Sequence, residues 1–254
     1  MRRTLLMVIS LQASGNLVNS YIDYQRGVDT PESAGDRTLV DAMVSPREAL
    51  ALAAILFVVA CSAVVPIMAV AGKVLTQTFA LGVIMVYSYT AWPFRLKYRG
   101  LGDITVFLLF GPMLMKVAAL LISGRSHNWI LPYGIPAALL CEAILHANNT
   151  RDINNDTKAG IKTLASVLGF ECSRVLYIAM VLAAYAGAIT ISIFSYRGCA
   201  LSLATVPLVL GVFKDFKSGV SGAGSFKALR GNGGNVYCAL TYCDLEVLSN
   251  QDSS

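Results

Sequence analysis

Charge-free apolar runs separated by short basic loops dominate this chain. The runs 49–72, 74–94 and 175–196 contain no charged residue. As a helix, each is long enough to cross about 30 Å of hydrocarbon, which takes roughly 20 residues. Three further runs are weaker: 104–122 carries Lys116, 129–147 carries Glu142 with Pro132 and Pro136, and 198–213 is short and holds Pro207. A seventh, 4–22, joins the apolar stretch Thr4–Leu11 to a more polar half. The pattern predicts an all-α integral membrane protein with seven visible spans.

The loops support that count, because Lys and Arg accumulate in short cytoplasmic loops. Loop 23–48 holds Arg26, Arg37 and Arg47, loop 95–103 holds Arg95, Lys97 and Arg99, and loop 148–174 holds Arg151, Lys158, Lys162 and Arg174. The intervening turns hold only Lys73, Arg125 and Arg197. Every second loop is therefore basic, which predicts these three in the cytosol. Arg2 and Arg3 fall on the other side and count against it. They also open a rival reading of the N-terminus as a secretory leader, with Ala13-Ser14-Gly15 as its small-residue cleavage site. From about residue 218 the sequence turns Gly/Ser/Asn-rich with no further apolar span. This predicts a transmembrane domain at 1–217 followed by a flexible polar tail at 218–254.

Composition narrows the class. With 254 residues, 56% hydrophobic and 14% charged, the chain lies outside the soluble globular range. The six cysteines lack metal-site spacing and read as small apolar fillers. A net charge of +5, spread over short loops, favours a lipid bilayer as partner over nucleic acid.

Two segments concentrate carboxylates and carboxamides where spans end. The first runs from Asn19 through Asp23 and Arg26 to Asp29. The second runs from Asn148 and Asn149 through Arg151 and Asp152 to Asp156. On a helix, Asn19 and Asp23 share a face, as do Asn148, Asp152 and Asp156; Glu142, Asn149 and Asp156 add a stripe at seven-residue spacing, with His146 and Asp152 close beside it. Four crossings separate the segments, so both are expected on one side of the membrane. Two unit charges about 4 Å apart repel by about 4 kcal/mol at an effective dielectric of ~20, so converging carboxylates call for a cation. Mg²⁺ suits such oxygens and keeps room for phosphate. Arg26, Arg151, Lys158 and Lys162 are placed to contact a diphosphate directly.

These residues resemble the UbiA superfamily of intramembrane aromatic prenyltransferases. Asn19-x₃-Asp23-x₃-Gly27-x-Asp29 resembles its first Asp-rich motif, and Asn148-Asn149-x-Arg151-Asp152-x₃-Asp156-x₃-Gly160-x-Lys162-Thr163-Leu164 its second. Gly15–Asn19, Asp36–Asp41, Leu101–Asp103, Phe110–Pro112 and Glu142–His146 are most similar to the animal menaquinone-forming branch. The resemblance spans about residues 10–217 and makes Gly15–Asp29 a membrane helix and its exit, against the leader reading.

The resemblance implies a helix bundle around a central cavity, with nine helices in the family. The first and the last of these are missing from the seven visible here. Ser20 stands where many relatives have Asp. Asp23, Asp29, Asp152 and Asp156 become the catalytic Mg²⁺ ligands, assisted by Asn19 and Asn149. Arg26, Asn148, Arg151, Lys158 and Lys162 become the diphosphate contacts. Tyr21, Tyr87, Trp92, Glu142 and His146 are expected around the acceptor and prenyl chain, with Tyr89 as a further cation-shielding ring. The alternative for the aromatics is an interfacial belt. Asp103 is read as positioning diphosphate or ordering the loop, or else as a solvated loop charge, and His127 as an ordinary loop residue. Lys116 has no account.

The implied reaction moves a prenyl group, geranylgeranyl in the closest branch, from its diphosphate to a naphthoquinol. The competing readings are a 4-hydroxybenzoate-type acceptor and an inactive, shortened membrane binding protein. The implied location is the endoplasmic reticulum or Golgi membrane, with the mitochondrion second, and other membrane enzymes of isoprenoid metabolism are the implied partners. A soluble chain-elongating synthase with two Asp-rich motifs is excluded by the uncharged spans. A channel or transporter would place its acids near mid-bilayer rather than at helix ends.

Overall fold

A computed structural model describes residues 2–31, 37–125, 128–195, 197, 200, 203–204 and 206. Asp36, His127, most of the expected span 198–213 and the expected tail 218–254 lie outside the described residues. Among the described residues, seven α-helices follow in order: α1 (Arg2–Gln25), α2 (Pro46–Ser88), α3 (Gly102–Leu108), α4 (Leu114–Ser123), α5 (Ile135–Arg151), α6 (Ile153–Lys158) and α7 (Leu164–Phe194). A π-helical turn at Leu109–Met113 joins α3 to α4, and a 3₁₀ segment at Asn128–Gly134 leads into α5.

Among the described residues, five helical stretches are long and apolar enough to cross a membrane: Arg3–Gln25, Pro46–Ala69, Gly102–Leu121, Asn128–Arg151 and Leu164–Phe194. The expected run 74–94 forms the second half of α2, which breaks at Gly72 (φ 75°, ψ −166°). That positive φ is open to glycine at no steric cost. The last span begins earlier than its apolar run suggested, because α7 starts at Leu164 and kinks at Gly169 (φ 75°).

The chain divides into two units: 1–102 with 155–162, and 103–154 with 163–254. In the first, α1 packs along α2. Gly15 makes this approach close, since a Cβ there would stand 2.6 Å from Val86 Cγ1. Beside it the buried Ser14 hydroxyl donates to the Ala53 carbonyl and meets the Tyr87 hydroxyl, each at 2.7 Å. The start of α2 is set by Ser45, whose side chain accepts from the Glu48 amide while Glu48 accepts from the Ser45 amide. This reciprocal cap satisfies two otherwise orphaned donors.

In the second unit α5 packs on α7 through small residues interleaved with large ones. Ala143 and Ala147 of α5 meet Tyr177, Val181, Ala184 and Ala188 of α7. Among lipid tails, close van der Waals packing of small residues is what draws helices together. Gly111 in the π turn lies so near α5 that a Cβ would come within 2.6 Å of the Ala138 Cβ. Ile55, Val58, Val65, Leu81 and Ile84 on α2, and Val175, Leu182 and Ile193 on α7, point outward and exposed. That apolar exterior is what a hydrocarbon solvent requires.

Candidate functional site

Both Asp-rich motifs are helix endings. After α1, Gly27 takes a positive φ of 67°, its amide donates to the Tyr24 carbonyl at 3.0 Å, and the Val28 amide donates to the Asp23 carbonyl at 2.9 Å. After α6 the same device recurs: Gly160 has φ 69°, its amide donates to Thr157 at 3.1 Å, and the Ile161 amide donates to Asp156 at 2.8 Å. This is a Schellman cap, with glycine at the left-handed position and the aspartate one turn before it. The repeated Asp-x₃-Gly spacing thus fixes each aspartate in a helix's last turn. A carboxylate is electrostatically unfavourable there unless cations compensate.

Compensation of Asp23 is visible. Its side chain, 4% exposed, accepts from Lys97 Nζ at 2.6 Å and from the Tyr98 hydroxyl at 2.6 Å. The Arg26 guanidinium stacks 4.2 Å over the Tyr98 ring. Burial first, and then the Asp23 carboxylate, push the Tyr98 hydroxyl well above the ordinary tyrosine range, so it remains a donor. The loop that delivers Lys97 and Tyr98 is a 3₁₀ turn, Leu96–Tyr98, held by a Lys97 amide bond to the Tyr89 carbonyl at 2.7 Å and a parallel bridge between Arg99 and Lys162. One turn before Asp23, the buried Asn19 Oδ1 has no hydrogen-bond partner. Asp29 is half-buried, Asp156 is buried, and Lys158 and Lys162 are exposed.

In the second unit, Arg151 forks onto Asp152 through Nε and a terminal nitrogen. These two are sequence neighbours, and Asp152 ends α5 with non-helical φ −95° and ψ 6°. The expectation that Asn148, Asp152 and Asp156 ride one continuous helix face is therefore corrected: the helix is interrupted at Asp152 and restarts as α6. Asn148 and Asn149 are half-buried on α5.

The same unit holds a second group of titratable side chains. Glu142 and His146, one turn apart on α5, and Asp103 in the first turn of α3 are 6%, 0% and 6% exposed. His146 Nδ1 lies 3.3 Å from Asp103 Oδ1. Both Glu142 oxygens and His146 Nε2 are buried without a hydrogen-bond partner. Asp103 is thus no solvated loop charge.

The aromatic residues separate. Tyr87 is committed to Ser14 and to an edge contact with Phe57, centroids 5.6 Å apart. Tyr21 is half-buried. Trp92 is 78% exposed, the arrangement of the belt alternative rather than of a pocket wall. Lys116 is half-buried on α4. Lys97 and Tyr98, the partners of Asp23, were not singled out from the sequence beyond the basic character of their loop.

Five stretches long and apolar enough to cross a membrane among the described residues, with aspartates in capped helix ends, define a multi-pass integral membrane protein. The chain belongs to the UbiA prenyltransferase family, whose profile matches residues 2–223. It is 36% identical over 219 residues to the UbiA prenyltransferase domain-containing protein 1 homolog of Drosophila melanogaster, covering 85% of this chain and 60% of that protein. With UbiA prenyltransferase domain-containing protein 1 of Dictyostelium discoideum it shares 37% over 222 residues, 84% of this chain and 67% of the relative. With the Homo sapiens protein of that name the figures are 32%, 214 residues, 83% and 63%. The chain spans about three-fifths to two-thirds of these relatives' length.

Proposed function

We propose that this protein transfers a prenyl group from its diphosphate to an aromatic acceptor, with geranylgeranyl diphosphate and a naphthoquinol as the pair, in menaquinone formation. The observation that carries this reading is the pair of Asp-x₃-Gly helix endings within a family match over residues 2–223. The donor set fits Mg²⁺: the buried Asn19 oxygen lacks a partner and precedes Asp23 by one turn, and hard divalent ions take such amide and carboxylate oxygens. Asn19, Asp23 and Asp29 of the first motif, and Asn149, Asp152 and Asp156 of the second, would supply those ligands. Held by these residues, Mg²⁺ would supply positive charge to offset that of a departing diphosphate.

The chain's own cations do the rest of the binding. Arg26 and the exposed Lys158 and Lys162 offer donors to diphosphate oxygens, and Arg151, which holds Asp152, is the second motif's guanidinium contact. The allylic C–O bond breaks with its electron pair going to the diphosphate. The electron-rich ring forms the new C–C bond and then loses its ring proton. Endoplasmic reticulum or Golgi membranes, with the active loops facing the cytosol, are the proposed location.

The test is transfer of radiolabelled geranylgeranyl diphosphate to menadiol in proteoliposomes, with and without Mg²⁺, for the wild type and Asp152→Ala. Mg²⁺-dependent product, falling at least roughly 100-fold in the variant, is the expected result. No product from protein with intact helical circular dichroism overturns it.

A further inference from the structure

We propose that Asp103, Glu142 and His146 form a second cation site, for one divalent ion of the class that accepts imidazole nitrogen together with carboxylate oxygen, such as Zn²⁺, Mn²⁺ or Fe²⁺. It is separate from the Mg²⁺ assigned to the Asp-rich motifs.

Geometry carries the argument first. One ligand atom from each residue lies within 4.8 Å of the other two, so the three are close enough to touch one ion. They are also poorly placed to satisfy one another. The 3.3 Å between His146 Nδ1 and Asp103 Oδ1 is long for a charge-assisted hydrogen bond, which runs about 2.7–2.9 Å. It matches two ligands of a common ion: at bond lengths of about 2.0–2.2 Å, neighbouring ligands stand roughly 3.0–3.5 Å apart.

The unpartnered atoms carry it second. Both Glu142 oxygens are buried and receive no donor from any residue but the neighbouring acid Asp103, although buried polar atoms nearly always have a donor or acceptor that suits them. Glu142 has the Asp103 carboxyl as its charged neighbour, so two acids stand together in an apolar bundle. Ionisable groups inside a membrane helix are costly, and they persist where they face a functional interior. Two carboxylates and the imidazole Nδ1 offer acceptors in excess of donors, and a divalent cation would take one ligand atom from each residue. The imidazole selects the chemical class, since nitrogen ligation suits transition ions better than Mg²⁺. The site is also fixed in place. Glu142 and His146 lie one turn apart on α5, and the His146 carbonyl accepts from the Thr150 hydroxyl at 2.7 Å.

The experiment uses the full chain, purified in detergent, stripped with chelator and titrated with Co²⁺. Cobalt's visible spectrum reports nitrogen and oxygen ligation, and Zn²⁺ serves as competitor. The expected result is one tightly held equivalent in the wild type and in Asp152→Ala, weakened at least roughly tenfold in Glu142→Gln and His146→Ala. Glu142→Gln preserves shape, so it separates loss of a ligand from loss of the fold, which circular dichroism also monitors. Absence of tight Co²⁺ binding by folded wild type overturns the proposal. So does binding that disappears in Asp152→Ala while persisting in Glu142→Gln.

Discussion

Asp23 and Glu142 are both buried carboxylates on membrane helices, yet their surroundings are opposite. Asp23 has a lysine and a tyrosine hydroxyl each at 2.6 Å, so its charge is matched and its oxygens are bonded. Glu142 has neither: its polar neighbour is another acid, Asp103, and no other residue donates to its oxygens. The difference separates two uses of buried charge. A matched pair locks a loop onto a helix end, here the Lys97–Tyr98 turn onto the last turn of α1. An unmatched cluster is held by the fold at a cost, and has a use only if something else enters it.

The largest expected effect tests the locked side. Asp23→Ala strands the Lys97 ammonium and the Tyr98 hydroxyl, and breaking a buried pair by removing one partner costs about 3–5 kcal/mol. The Lys97 side chain is 20% exposed, so water recovers part of this and a loss of about 2–3 kcal/mol is expected, read by reversible unfolding in micelles. A loss below about 1 kcal/mol would show Asp23 to be as slack as Glu142 and would break the comparison.

A smaller effect is expected from Tyr98→Phe, which removes one hydrogen bond to a charged acceptor, worth about 1.5 kcal/mol. Its pH dependence sharpens the test. The Tyr98 hydroxyl is held above its ordinary value by burial and by Asp23. A raised group contributes fully below the unfolded value, about 10 for tyrosine, and loses its contribution only as pH climbs through the folded one. The difference between wild type and Tyr98→Phe should therefore stay constant from about pH 6 to 9. A difference that shrinks within that window would mean Tyr98 is not the donor described.

Much of the locked side was legible, and the reason is local. The end of α1 was legible because its span runs out just before Asp23, and the division of the apolar runs 49–72 and 74–94 at Lys73 falls next to the break at Gly72. The partners of Asp23 were not legible, because Lys97 and Tyr98 lie 74 and 75 positions away in a loop whose basic residues look alike in sequence. The break at Asp152 carried no glycine or proline to announce it. The open cluster was half legible: helical spacing joined Glu142 to His146, but Asp103, 43 positions from His146, looked like the end of a basic loop.

The smallest expected effect is the most telling for the open side. Glu142→Gln keeps the volume and shape of the side chain, and its amide can still donate to the Asp103 carboxylate beside it, so in chelator-treated protein its stability should lie within about 0.5 kcal/mol of wild type. A near-zero result at a residue 6% exposed carries information, because buried polar side chains that hold a structure together do not tolerate substitution so cheaply. A loss above about 2 kcal/mol would instead mean Glu142 has a structural partner and belongs with Asp23. Repeating the measurement with excess Zn²⁺ separates the two sides further. An ion bound to the folded state alone raises stability by mass action, about 2.7 kcal/mol at a hundredfold excess over its dissociation constant. The wild type should gain that increment and Glu142→Gln should not, so the two proteins diverge only when metal is present.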